Sequence, residues 1–229
     1  MNHAISFCLL YPITILLLSH QLLDAQPNER RIENDPNARV LLDAVYEKYH
    51  AAPSVKIQFS LSVDTPEEQA YIKSQGTVYL KKDKYKIDTE EMTIICDNVK
   101  RYVYLKEPNE LQISYFEPGE EEVESPSKFF ELYKKDFFYR LGGETTFMDR
   151  RAAVVNLLPM NIKESPYKMI FLIVDKEKKQ ILKAEILSKD GTRYTYVLTA
   201  IEETSNLPDE EFTFDPSRYP GIYIDDMTK

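Results

Sequence analysis

The sequence predicts a mainly β protein, one long antiparallel sheet that curls toward a barrel with two helices laid against it. Three observations predict this. Apolar and polar residues alternate with a period of two through most of the chain, the pattern of a sheet with one buried face. Turn-forming Asp, Asn, Gly and Pro punctuate these runs at short intervals, which implies consecutive antiparallel pairing. The 229 residues include 16 Tyr and 11 Phe against 6 Gly and no Trp, ample material for a sizeable core with few hinges. A sheet of about eleven strands twists too far to stay flat. Its apolar interior is then either filled by its own side chains or left as a cavity.

Residues 5–23 are almost wholly apolar, and Leu23-Asp24-Ala25 precedes a polar stretch beginning Gln26-Pro27-Asn28. This is the pattern of a secretory signal, residues 1–25, cut after about Ala25. A retained membrane anchor is the competing reading, and Pro12 with the polar Ser19-His20-Gln21 argues against a stable span. Residues 26–34 form a polar linker, and 35–229 form the folded domain. Asp35-Pro36 supplies a cap and a first-turn proline for a helix whose Ala38, Leu41, Leu42, Val45 and Tyr49 share one face. Ala51-Ala52-Pro53 ends it.

From 54 onward the period is two: Val55, Ile57, Phe59, Leu61 and Val63 alternate with Lys56, Gln58, Ser60 and Ser62. Strands follow at 75–81, 84–89, 93–96, 101–105 and 110–116, a meander. An acidic stretch at 117–124 leads to Ser125-Pro126, which opens a short aromatic helix over 127–135 carrying Phe129, Phe130, Leu132 and Tyr133. Phe137-Phe138-Tyr139 favours a strand that ends at Gly142-Gly143. Strands resume at 152–158, 168–175, 180–188 and 193–201, with Asp190-Gly191 a strong hairpin signal. The segments 208–214 and 219–225 close the chain.

The composition excludes several chemistries. A formal charge of −9 leaves no broad basic surface for nucleic acid. Signal cleavage removes Cys8, His3 and His20, leaving one cysteine, Cys96, and one histidine, His50. No internal disulfide, zinc spacing signature or Cys-His nucleophile is then expected, and Cys96 sits in an apolar run where a buried thiol is inert. The carboxylate pairs Glu90-Glu91, Glu202-Glu203 and Asp225-Asp226 are adjacent residues, which point to opposite faces of a strand. No phosphate loop is present around Gly142-Gly143. No catalytic residue, metal or cofactor is predicted. What remains is an excess of apolar side chains with two apolar-faced helices, either ordinary core or a lid over a concave face that accepts hydrocarbon.

Several segments together resemble one family, the LolA-type periplasmic carriers of outer-membrane lipoproteins. They are the leading helix after Asp35, Val55-Lys56-Ile57-Gln58-Phe59, Gly76-Thr77-Val78-Tyr79-Leu80-Lys81, and Asp190-Gly191-Thr192-Arg193-Tyr194-Thr195-Tyr196. The most specific part is the ending, Glu211-Phe212-Thr213-Phe214-Asp215 and then Tyr219-Pro220-Gly221-Ile222-Tyr223-Ile224-Asp225-Asp226. It is similar to the family's closing F-x-F and P-x-G-V-x-V-x-D pattern, except that Pro220 and Gly221 are adjacent.

The resemblance implies a LolA/LolB-like incomplete antiparallel barrel enclosing an apolar cavity under a helical lid. It implies a monomeric periplasmic carrier. Such a carrier takes the acyl chains of lipoproteins from an inner-membrane ABC-type releasing complex and passes them to a LolB-like outer-membrane acceptor. On that basis the expected cavity wall is Phe59, Leu61, Val78, Leu80, Tyr85, Ile87, Tyr102 and Tyr104. The expected lid is Leu41, Leu42, Val45, Phe129, Phe130, Leu132 and Tyr133. The family's lid is held partly by an arginine shortly after the second strand. Lys82 stands nearest here, with Lys81 beside it, and a lysine lacks the planar fork of arginine. A module for other lipids or glycolipids would share every one of these features. An exported hydrolase is the remote alternative, and it requires His50 or paired carboxylates converging in the cavity.

Overall fold

The computed structural model describes residues 33–66, 71–116, 126–204 and 207–229, all within one compact unit. The expected signal, most of the linker, the acidic stretch at 117–124 and Ser125 lie outside these residues.

The first helix, α1 (Pro36–Ala51), is started by Asp35, whose carboxylate accepts from the Asn37 amide at 2.8 Å and the Ala38 amide at 3.3 Å. The other carboxylate oxygen accepts from Leu141 N–H at 3.3 Å, and Asp35 N–H donates to Tyr139 O at 3.0 Å. These bonds to backbone amides, Leu141 foremost, hold the Asp35 carboxyl below the usual carboxylate range. One aspartate therefore caps the helix and fastens its start to a strand edge.

The chain then forms β1 (Ser54–Asp64), β2 (Tyr71–Lys81), β3 (Lys84–Thr89), β4 (Met92–Cys96), β5 (Lys100–Leu105) and β6 (Glu110–Tyr115). After α2 (Pro126–Phe129) and a tight turn at Leu132–Lys134 come β7 (Phe137–Phe147), β8 (Arg150–Pro159), β9 (Tyr167–Asp175), β10 (Gln180–Ser188), β11 (Arg193–Thr204) and β12 (Tyr223–Asp226). All twelve belong to one sheet, in the order β12-β6-β5-β4-β3-β2-β1-β11-β10-β9-β8-β7. Two meanders meet along the antiparallel β1–β11 seam, which runs from Ser54 opposite Thr204 to Asp64 opposite Arg193. Among the described residues only β12 pairs in parallel, against β6. With β7 and β12 at its two ends the sheet stays open, as expected of an incomplete barrel.

Three sequence expectations change. The strand count among the described residues rises to twelve because the last four-residue strand joins the β6 edge. The second helix is α2 alone instead of 127–135, because Phe130, Leu132 and Tyr133 are all buried; three inward residues among four consecutive positions do not fit one face of a regular helix. The seventh strand does not stop at Gly142-Gly143. It bulges there, with a register shift between Leu141 and Gly143 and φ of 121° at Gly143, and continues to Phe147.

The core lies on the concave face. Ala38, Leu42 and Val45 of α1 pack with Val155, Ile170, Val174, Ile57 and Tyr85 in one cluster that draws on strands from β7 round to β4. A second layer covers the convex face of β3 to β6, where Ile95, Tyr104 and Leu111 are buried and the closing segment buries Phe212 completely. Phe214 and Tyr219 stack on each other at 4.8 Å and flank Tyr104. Ion pairs Lys81–Asp209 at 2.9 Å and Lys86–Glu211 at 2.8 Å fasten this segment.

Candidate functional site

Alternation along paired strands assigns each side chain to a face. Ile57 opposes Val78, Val78 opposes Ile87, and Ile87 opposes Ile94, so these residues share the concave face with α1. Phe59, Val78, Leu80 and Tyr85 are buried there, while Leu61 and Ile87 are half-buried at the margin of the core. Six of the eight expected wall residues are thus brought together.

Tyr102 and Tyr104 are not. They oppose Ile95 and Thr93, and Ile94 opposes Val103, which puts both tyrosines on the convex face against Phe214 at 6.5 and 5.4 Å. The closing segment buries that face too, so β4 to β6 are apolar on both sides and alternation alone does not tell inside from outside. The concave positions the sequence reading missed are Ile94, Phe116, Tyr194, Tyr196 and Leu198, all half-buried against the core. The place of the last three follows from the β1–β11 register, which alternation within one strand does not contain. Tyr194 and Tyr196 oppose Val63 and Leu61 across the seam, and Tyr196 sits 6.1 Å from the Phe59 ring.

Gly76 explains how Phe59 fits. A Cβ there would lie 2.7 Å from the Phe59 ring and 2.8 Å from Asp88 O, so the ring lies flat across β2 only because the glycine has no side chain.

All seven expected lid residues face this concave surface: Leu41, Leu42, Val45, Phe130, Leu132 and Tyr133 are buried and Phe129 is half-buried. Lid and wall are in direct contact. On one side α1 fills the hollow formed by β1 and β7 to β11. Toward β3, β4 and the upper part of the seam, apolar side chains stay half-exposed around Leu61, Ile87, Ile94, Tyr194 and Tyr196.

The lid is latched to itself. The Tyr133 hydroxyl donates to Asp43 Oδ1 at 2.6 Å, the Tyr49 and Phe130 rings stack at 3.9 Å, and His50 Nε2 lies 3.1 Å from Glu131 Oε1. Burial, and then the bond to Asp43, push the Tyr133 phenol well above its ordinary value, so it remains a neutral donor. Lys82 takes no part. It occupies the β2–β3 hairpin turn with φ of 55°, its side chain is exposed, and it bonds to no lid residue among the described residues. The strand ends at Lys81, one residue before the inward parity would reach Lys82. Lys81 itself holds the closing segment on the opposite face.

His50 is exposed at the end of α1 and meets one carboxylate, Glu131. Cys96 is buried on the concave side opposite Tyr85, and burial pushes its thiol up. Among the described residues no three His, Cys, Asp or Glu side chains converge as a metal site, and no helix is long and apolar enough to cross a membrane.

Comparison with known proteins yields no matching family model. An uncharacterized protein of Methanocaldococcus jannaschii is 24% identical over 182 residues, 79% of this chain and 52% of that protein. The chain thus spans about half the length of this curated relative. Among solved structures, an uncharacterized conserved protein from Thermus thermophilus aligns over 83% of this chain and 99% of its own, with 15% identity and a TM-score of 0.54. The Mycobacterium tuberculosis lipoprotein LppX aligns over 76% of this chain and 100% of its own, with 9% identity and a TM-score of 0.50. A LolA superfamily protein from Nitrosomonas europaea also matches, over 77% and 97% of the two chains, at 15% identity and a TM-score of 0.42. At these identities the likeness is one of fold.

Proposed function

We propose that this protein binds acyl chains on its concave face and carries them, as the acyl groups of lipoproteins, between membranes. The observation that carries this reading is the latched segment lying on a continuous apolar wall that its own margin leaves half-exposed. That margin is where a hydrocarbon chain would reach the wall once the segment moves.

Magnitudes favour exchange of lid for cargo. Burying Phe130, Leu132 and Tyr133 stabilises the closed state by ~2 kcal/mol each, and a methylene contributes ~0.8 kcal/mol, so a chain of about eight buried carbons offsets their displacement. Loading is then nearly balanced, which suits a carrier that must release. The partners in this reading are acylated lipoproteins, an inner-membrane ABC-type releasing complex and an outer-membrane acceptor. The compartment is the periplasm, reached through a signal cut near Ala25. No bond is made or broken in such transfer, so the reading needs no enzyme chemistry.

The test is uptake of an environment-sensitive fluorescent fatty acid by the purified protein and by Phe129→Asp, which puts a charge at the half-buried lid margin. The folded wild type is expected to take up the probe, and the variant to lose at least about tenfold in affinity with its circular dichroism unchanged. Equal uptake by a folded variant removes the lid from the mechanism. Native mass spectrometry of the protein from its own cells then identifies the load: a lipoprotein supports the carrier, and a free lipid or glycolipid supports the plain lipid-binding module.

A further inference from the structure

The sheet has two ends, and they differ. At one end lie the β8–β9 loop, 160–166, and the β10–β11 turn, 189–192; at the other lie the β4–β5 turn, 97–99, and the β9–β10 turn, 176–179. The β8–β9 loop carries Met160, 43% exposed, and Ile162, 68% exposed. It is stapled in place: Met160 N–H donates to Asp136 O at 2.8 Å, Lys189 N–H to Pro166 O at 2.9 Å, and Lys189 Nζ to Lys163 O at 2.6 Å. A loop so fastened holds its two apolar side chains outward instead of folding them away. Exposed Lys163, Lys168 and Lys189 surround it, with Lys135 beside its anchor Asp136, while the acidic groups nearby are Asp136, Glu164 and Asp190. The four lysines outnumber the three carboxylates by one, against a net charge of −9 for the whole chain. Beside Met160 an open hollow of about 280 Å³ is lined by the apolar Leu132, Phe137 and Tyr167 and by the polar Asp136, Asn161 and Glu164. Leu132 and Phe137 are buried members of the concave core, so the hollow joins the tip to the lid.

We infer that the β8–β9 tip is the membrane-touching end of the molecule, with Ile162 and Met160 entering the headgroup layer of an anionic bilayer and the surrounding lysines held at its phosphates. Apolar side chains on a rigid tip gain by leaving water, and each nearby lysine adds attraction to an anionic leaflet. The hollow beneath then opens at the membrane surface beside Leu132 of the lid, which brings the bilayer to the segment that covers the wall. For its purpose this rests on the carrier reading, but its measurement does not.

The chain has no tryptophan, so Ile162→Trp gives a single reporter, and Val99→Trp, at an exposed position of the opposite end, gives its control. With vesicles of phosphatidylglycerol and phosphatidylcholine in equal parts, Ile162→Trp is expected to shift its emission to the blue and to be quenched by mid-chain brominated lipid. Val99→Trp is expected to do neither. Flotation of Ile162→Asp with the same vesicles should fall about tenfold while its uptake of the fluorescent fatty acid stays at the wild-type level. Unshifted emission of Ile162→Trp, or undiminished flotation of Ile162→Asp, overturns the inference. Flotation without fatty-acid uptake by the wild type would leave the tip standing and remove the carrier reading.

Discussion

Tyr133 shows how one hydroxyl sets the behaviour of a lid. Its ring is buried with Leu132, while its oxygen reaches Asp43 on α1, a side chain that remains about half exposed. Since Asp43 keeps water when the bond is lost, Tyr133→Phe is expected to destabilise the closed segment by only about 1 kcal/mol, without leaving a buried unpaired acceptor. If this segment gates the wall, that increment raises the association rate of a fatty-acid probe about fivefold, as read by stopped-flow fluorescence. An unchanged rate in a variant with measurably lower stability would show that another element opens. The sequence singled out Tyr133 as an aromatic lid residue, yet its partner lies 90 positions away on α1, which no local pattern reveals. The expectation for Lys82 met a local limit instead: parity along a strand places a residue only while the strand lasts, and this one ends at Lys81.

Among the elements, those with a clean period were legible and those serving two faces were not. The Asp35-Pro36 start of α1, the β1 alternation and the Asp190-Gly191 hairpin all stand as the sequence implied. Gly191 has φ of 95°, the left-handed geometry that such a turn asks of glycine. The closing segment was recognisable by its aromatic spacing, but not as a second layer on the convex face. Its role there makes a sharp expectation. Phe212→Ala removes a wholly buried ring and should cost about 3–5 kcal/mol in urea unfolding, while fatty-acid affinity of the folded variant is unchanged because Phe212 and the wall lie on opposite sides of the sheet. A parallel loss of affinity would mean that the convex layer shapes the concave one.

The whole molecule has its hydrophobic surface divided between a sealed region under α1 and a half-open margin bounded by the latched segment. That division is set by where two short meanders join, and so it depends on topology that composition and periodicity do not contain. The join has a temporal consequence. Each meander is built from hairpins closed by nearby residues, whereas the β1–β11 seam pairs Ser54 with Thr204, 150 positions on. Closing so large a loop comes before any reward from its ladder, which slows chains dominated by distant pairings to milliseconds or seconds. Refolding followed by pulsed hydrogen exchange should therefore show hairpin amides protected early and the amides of β1 facing β11 protected last. Until that late zip, the emerging chain holds two half-sheets with bare central edges, a state suited to being threaded or escorted and ill suited to waiting alone.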